Sequence, residues 1–137
     1  MTPMPLRLIP DIHRATHRIA VHLARSQAGV SQGEAHVLAH LIGFGDSTVG
    51  EIHRAFAHKR STLTSILDRL AERGLVSRET SPGDRRSFVI ALTKPGRGVA
   101  TKVYRDLAGV EARILKHAGR EQVQGFHAVL KALEKEV

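Results

Sequence analysis

Four hydroxyl side chains, Ser61, Thr62, Thr64 and Ser65, crowd into five positions directly after Lys59 and Arg60. Hydroxyls both donate and accept hydrogen bonds, and Lys and Arg attract phosphate, so this segment suits base edges flanked by a nucleic-acid backbone. On a helix turning about 100° per residue, Leu63, Ile66, Leu67 and Leu70 share one face. Ser61 and Ser65 then fall nearly opposite, with Thr62, Thr64 and Arg69 on the flanks. Asp68 and Glu72 lie further along the outward face and repel phosphate, so the N-terminal half is the half expected to enter a major groove. The helix N-terminus itself favours anions.

A second basic group, Asp84-Arg85-Arg86, follows Pro82-Gly83. A guanidinium held on a rigid turn can enter a narrow minor groove. Asp84 is unfavourable near phosphate unless it braces one of these Arg side chains by bidentate pairing. The charge distribution agrees. The chain has 137 residues and a net charge of +8. Residues 54–105 hold twelve Lys/Arg against four acidic residues, whereas residues 1–53 and 106–137 are each neutral. A basic middle between neutral ends is an electrostatic footprint for a polyanion. Aromatic residues make up only 4%, with no Trp, which argues against a stacking platform for single strands.

Histidine is the other abundant chemistry, at nine residues. His13 and His17 are four apart on the first helix, and His36 and His40 repeat the spacing on the second. Such pairs share a helix face, where they can hold a divalent cation, titrate near neutrality or line a cleft for an acid. His13 and His17 are therefore candidate effector-binding residues, with plain surface or interface histidines as the alternative. His53 and His58 are expected beside phosphate. There is no cysteine, which excludes thiolate metal sites and thiol redox chemistry. No Gly-rich phosphate loop, His-Glu-x-x-His or nucleophile elbow is present. No catalytic residue, resident metal or cofactor is expected. No apolar run approaches the ~20 residues needed to cross a bilayer, and Met1 to Pro10 lacks a signal-peptide pattern. A cytoplasmic location without membrane attachment is the default expectation.

These groups need elements to hold them. Ile12, Thr16, Ile19 and Leu23 predict a first helix from Pro10 to about Ala28. Ser31-Gln32-Gly33-Glu34 is a capping box that opens a second, broken by Gly43-Phe44-Gly45-Asp46. Thr48-Val49-Gly50-Glu51 opens a short third, and a fourth runs from about Lys59 to Arg73, stopped by Gly74. Leu75–Ser81 and Ser87–Thr93 change period and predict a β-hairpin around a basic tip. Helix returns from Lys94 to the break at Gly119, and Glu121 to Val137 forms the last. The expected fold is mainly α with a small β-hairpin wing: a winged helix-turn-helix with six helices.

The run from Ser61 to Val76, then Asp84-Arg85-Arg86, then Leu92-Thr93-Lys94-Pro95-Gly96, resembles the MarR family of bacterial regulators. The motif covers about residues 48–98, and the flanking helices match the family's six-helix layout in length and order. The resemblance implies an obligate homodimer whose base is formed by the first, fifth and sixth helices. It thereby divides the chain into an N-terminal dimerisation helix (1–30), a winged helix-turn-helix (31–93) and C-terminal dimerisation helices (94–137). It implies binding to pseudo-palindromic double-stranded operator DNA, usually as a repressor of nearby genes. It also implies that a small anionic or phenolic ligand, an oxidant or a metal loosens DNA binding. By motif position, Ser61, Thr62, Thr64 and Ser65 read bases, Arg86 enters the minor groove braced by Asp84, and Arg85 makes a backbone or structural contact. The lack of cysteine excludes thiol sensing. Ala35 stands where relatives often carry a bulky side chain, and Gly109 lowers helix propensity without an evident reason. The alternative is a winged-helix interaction or architectural DNA-binding module without an effector.

Overall fold

In the computed structural model the described residues are 6–26, 28–81 and 83–137; the side chains of residues 84–87 lie outside the description. Six helices and three short strands follow one another. They are α1 (Leu8–Ala24), α2 (Gln32–Phe44), β1 (Ser47–Thr48), α3 (Val49–Phe56), α4 (Arg60–Glu72), β2 (Val76–Ser81), β3 (Asp84–Leu92), α5 (Lys94–Ile114) and α6 (Arg120–Glu136). No described helix is long and apolar enough to cross a membrane.

Local chemistry sets the boundaries. Ser31 Oγ accepts from the Glu34 amide at 3.3 Å while Glu34 Oε1 accepts from the Ser31 amide at 3.4 Å, completing the capping box of α2. Thr48 Oγ1 accepts from the Glu51 amide and caps α3. The helix α2 runs through Gly43 and ends only at Gly45, whose φ of 84° is left-handed. The end thus falls within the expected break from Gly43 to Asp46; Gly43 itself stays inside the helix, where glycine costs only about 1 kcal/mol relative to alanine.

The sheet is antiparallel with order β1-β3-β2. The sequence did not signal β1, whose two residues pair with Ile90 and Val89. The second hairpin strand starts at Asp84 rather than Ser87. Thr80 pairs with Phe88 but Ser81 pairs with Asp84, so residues 85–87 fall in an irregular stretch of the ladder. Such bulges redirect a strand locally.

The core gathers Val37, Leu38 and Leu41 of α2, Ile52 of α3, the Leu63–Ile66–Leu67–Leu70 face of α4, and Ile90 of β3. Each α4 member is at most 3% exposed. One junction locks the wing to α5. Thr93 Oγ1 donates to the Gly74 carbonyl at 2.6 Å and accepts from the Gly96 amide at 3.0 Å. The Thr93 amide donates to the Leu75 carbonyl at 3.1 Å. The chain divides into two compact units, Met1–Tyr104 and Arg105–Val137, and α5 runs from the first into the second. Within the second unit, α6 has no buried residue.

Candidate nucleic-acid interface

Burying four apolar residues of α4 fixes what its other face can offer. Lys59, Arg60, Ser61, Thr62, Thr64, Ser65 and Arg69 are all exposed. Lys59 is the N-cap residue and its side chain makes no capping bond, so the first-turn amides of α4 and two cationic side chains share one end of the helix. Ser65 Oγ donates to the Ser61 carbonyl at 3.0 Å. Its single proton is therefore committed, and Ser65 presents lone pairs outward.

Arg60 and Thr64 are not alone. With Leu63 they line one wall of an open cleft of about 430 Å³ whose other walls are Val49, Gly50, His53 and Arg54 of α3 and Phe88 of β3. Sequence reasoning missed Arg54. On α3 it reads as an isolated exposed cation, and only the helix-turn-helix crossing brings it to Arg60. Two guanidinium groups beside a helix N-terminus favour an anionic oxygen.

Further along α4 the acidic residues are handled separately. Asp68, expected to repel phosphate, forms an ion pair with Arg78 of β2. Arg69 Nε lies 3.8 Å from Glu34 of α2, so this predicted DNA-facing group is engaged by its own chain. Asp84, Arg85 and Arg86 sit at the start of β3; their side-chain roles lie outside the described residues.

The histidines separate. His13 and His17 are exposed on α1. His36 and His40 lie instead against Phe56, with ring centroids 6.2 and 5.6 Å away. The two pairs do not combine: among the described residues no group of three or more His, Cys, Asp or Glu could hold a metal ion. His58, expected beside phosphate, is turned inward, its ring stacked on Phe56 at 5.8 Å and its Nδ1 buried without a hydrogen bond. Ser47 Oγ donates to the Gly45 carbonyl and lies 3.3 Å from His40 Nε2, which makes His40 the donor of that contact.

Burial holds the pKa of His36 below its ordinary value of 6.5, and the nearby His58 charge lowers it further. Below pH 6.5 the unfolded chain therefore binds more protons at this position than the folded one, and stability falls on acidification until the lowered folded pKa is passed. His36→Gln should flatten that increment. Urea midpoints at pH 7.5 and 5.5 measure it; an unchanged difference between the two pH values in the variant would place the titration elsewhere.

Comparison with known proteins bears on the same elements. Residues 28–87 match the model of the MarR family. The HTH-type transcriptional regulator MhqR of Bacillus subtilis strain 168 is 26% identical over 133 residues, covering 96% of this chain and 92% of that protein. The HTH-type transcriptional regulator PecS of Dickeya dadantii strain 3937 is 36% identical over 85 residues, which is 62% of this chain and 51% of that protein. In three dimensions, a MarR family regulator from Neisseria meningitidis superposes with a TM-score of 0.82 at 20% identity, covering 94% of this chain and 89% of that one. At that identity the likeness is one of fold.

Proposed function

From the match of residues 28–87 to the MarR family of transcription regulators, we propose that this chain is a homodimeric, sequence-specific repressor acting on nearby genes. Each protomer lays the N-terminal half of α4 in a major groove of a pseudo-palindromic operator. The β2–β3 wing reaches the flanking minor groove. The observation that carries this reading is the α4 surface: four exposed hydroxyls beside Lys59, Arg60 and Arg54, in the segment that holds the whole net charge. Hydroxyls meet base edges and the cations meet phosphate. Asp68, neutralised by Arg78, no longer opposes the approach.

Dimerisation through α1, α5 and α6 is part of the proposal. It is supported by apolar side chains those helices leave uncovered, including Ile9, Ile19, Ile114 and Phe126. Release by a small anionic or phenolic ligand is carried over from the family resemblance, with His13 and His17 on the exposed face of α1 as the contacts to test. Isothermal titration with phenolic acids, zinc and nickel tests it; no heat removes these two residues from the reading.

Binding-site selection from random duplex DNA at about 150 mM salt tests the core of the proposal. The expected product is an inverted repeat with half-site centres about one helical turn, 34–36 Å, apart. Binding without enrichment supports an architectural role instead, and no binding supports a protein-interaction module. Two variants apportion the contacts. Arg86→Ala should weaken operator binding roughly tenfold and lower the slope of log K against log salt by about one. Ser65→Ala should relax preference at one half-site position, by about 1–3 kcal/mol. Because Ser65 offers only lone pairs, that position should favour adenine or cytosine, whose amino groups donate in the major groove.

A further inference from the structure

Among the described residues the least exposed acid packs at the C-terminal end of α4, away from the hydroxyls of its first turns. Glu34, in the first turn of α2, is 5% exposed. Its Oε2 accepts from Arg73 Nη1 at 3.1 Å, and Arg69 Nε lies 3.8 Å from its Oε1. The two arginines are one helical turn apart on α4, so one carboxylate grips the C-terminal end of the helix at two points. The same Oε1 takes the Ser31 amide, which ties the grip to the start of α2.

Packing at this point is independent of the charges and just as close. A Cβ added to Gly33 would meet Ile66 Cδ1 of α4 at 2.7 Å, so the first turn of α2 touches α4 in van der Waals contact. A Cβ on Gly29, in the α1–α2 turn, would lie 4.0 Å from Arg73 Nη2. The Arg73 guanidinium, at the C-cap of the helix whose other end bears Ser61 to Ser65, thus lies close to the turn that leaves α1.

We propose that Glu34 is a positioning residue for operator reading: by holding Arg69 and Arg73 against α2, it sets the angle at which α4 presents its hydroxyl face. This rests on the DNA-reading role proposed above. A helix of thirteen residues spans about 20 Å, so a small rotation about its clamped end displaces the far end by more than a hydrogen bond tolerates. Random-sequence DNA, held through phosphate charge alone, does not require that angle. Arg69 accordingly acts through Glu34 rather than by touching DNA.

The test compares affinity for the selected repeat with affinity for random duplex DNA at one salt concentration. Glu34→Gln keeps the shape and can still accept from Ser31 but loses both ion pairs. Its ratio of specific to random affinity should fall roughly tenfold, with random-DNA affinity unchanged or higher because a negative charge has gone. A merely structural role would lower the melting temperature without altering that ratio in the folded protein. Arg73→Gln cuts the same clamp from its exposed side and should lower the ratio likewise; it decides the matter if Glu34→Gln does not fold. Wild-type ratios in the folded variants overturn the proposal. A wild-type protein that shows no preference for any repeat overturns the DNA-reading role first, and this inference with it.

Discussion

Gly96→Ala is expected to destabilise the protein by about 3 kcal/mol or more, as overpacking against an unyielding neighbour does. A Cβ at Gly96 would lie 1.7 Å from the carbonyl oxygen of Leu75 and 2.6 Å from its carbonyl carbon. Both atoms are backbone, so no rotamer change relieves the clash. Moving α5 away strains the bonds that define the junction: Thr93 Oγ1 to Gly74, Gly96 to Thr93 Oγ1 and Thr93 to the Leu75 carbonyl. Leu75 and Val76 also belong to the core cluster, so the cost spreads into the wing and the base of α4. Two residues on, the same chemical change has the opposite sign. Gly98 is exposed inside α5, and a Cβ there meets nothing within 4 Å. Gly98→Ala should therefore gain about 0.5–1 kcal/mol from helix propensity alone. Urea denaturation of the two variants beside wild type separates the effects. Equal midpoints for both would show that the Gly96 approach is looser than the backbone geometry requires.

The same junction shows what sequence could and could not reveal. The α4 face was legible because Leu63, Ile66, Leu67 and Leu70 recur with the helical period, and all four are buried. The caps at Ser31 and Thr48 were legible because a hydroxyl three residues before Glu has one favourable local use. Strand β1 was not, since two residues carry no alternation and Thr48 already had a role as a cap. The candidate interface divides in the same way. Ser61, Thr62, Thr64 and Ser65 follow from the periodicity of one helix, whereas Arg54 joins Arg60 only through the crossing of two. Arg69 reads as a surface cation, because its partner and that of Arg73 is a carboxylate as many as 39 positions away. His58 reads as a phosphate neighbour from its place in the α3–α4 turn, but the half-buried ring of Phe56 takes its ring. Period and capping are local. Ion pairs and ring stacking are decided by tertiary packing, which sequence spacing does not encode.

Replacing Phe126 and Val129 by Gln together is expected to turn the protein into a folded monomer. The two side chains are 51% and 38% exposed on α6, which buries none of its residues within its own chain. Val123, Leu130 and Leu133 of the same helix are only half-buried. An isolated helix of this length is marginal in water, so an uncovered apolar stripe calls for a partner. Glutamine is a good helix former and carries no charge, which leaves helicity and phosphate attraction as they were. If a second copy covers the stripe, each lost side chain costs about 1.5–3 kcal/mol of burial, and twofold symmetry doubles the loss. That is enough to move a micromolar or tighter dimer to monomer at working concentrations. Light scattering reads the mass directly, and circular dichroism checks that the helices persist. On the selected repeat the monomer should bind about 10²–10⁴ times more weakly, because the second half-site is no longer an intramolecular event. Its affinity for a single half-site should be unchanged. A dimer that survives both substitutions would place the contact between copies on other residues. A monomer that still bound the full repeat as tightly as wild type would show that one winged helix reads the operator alone.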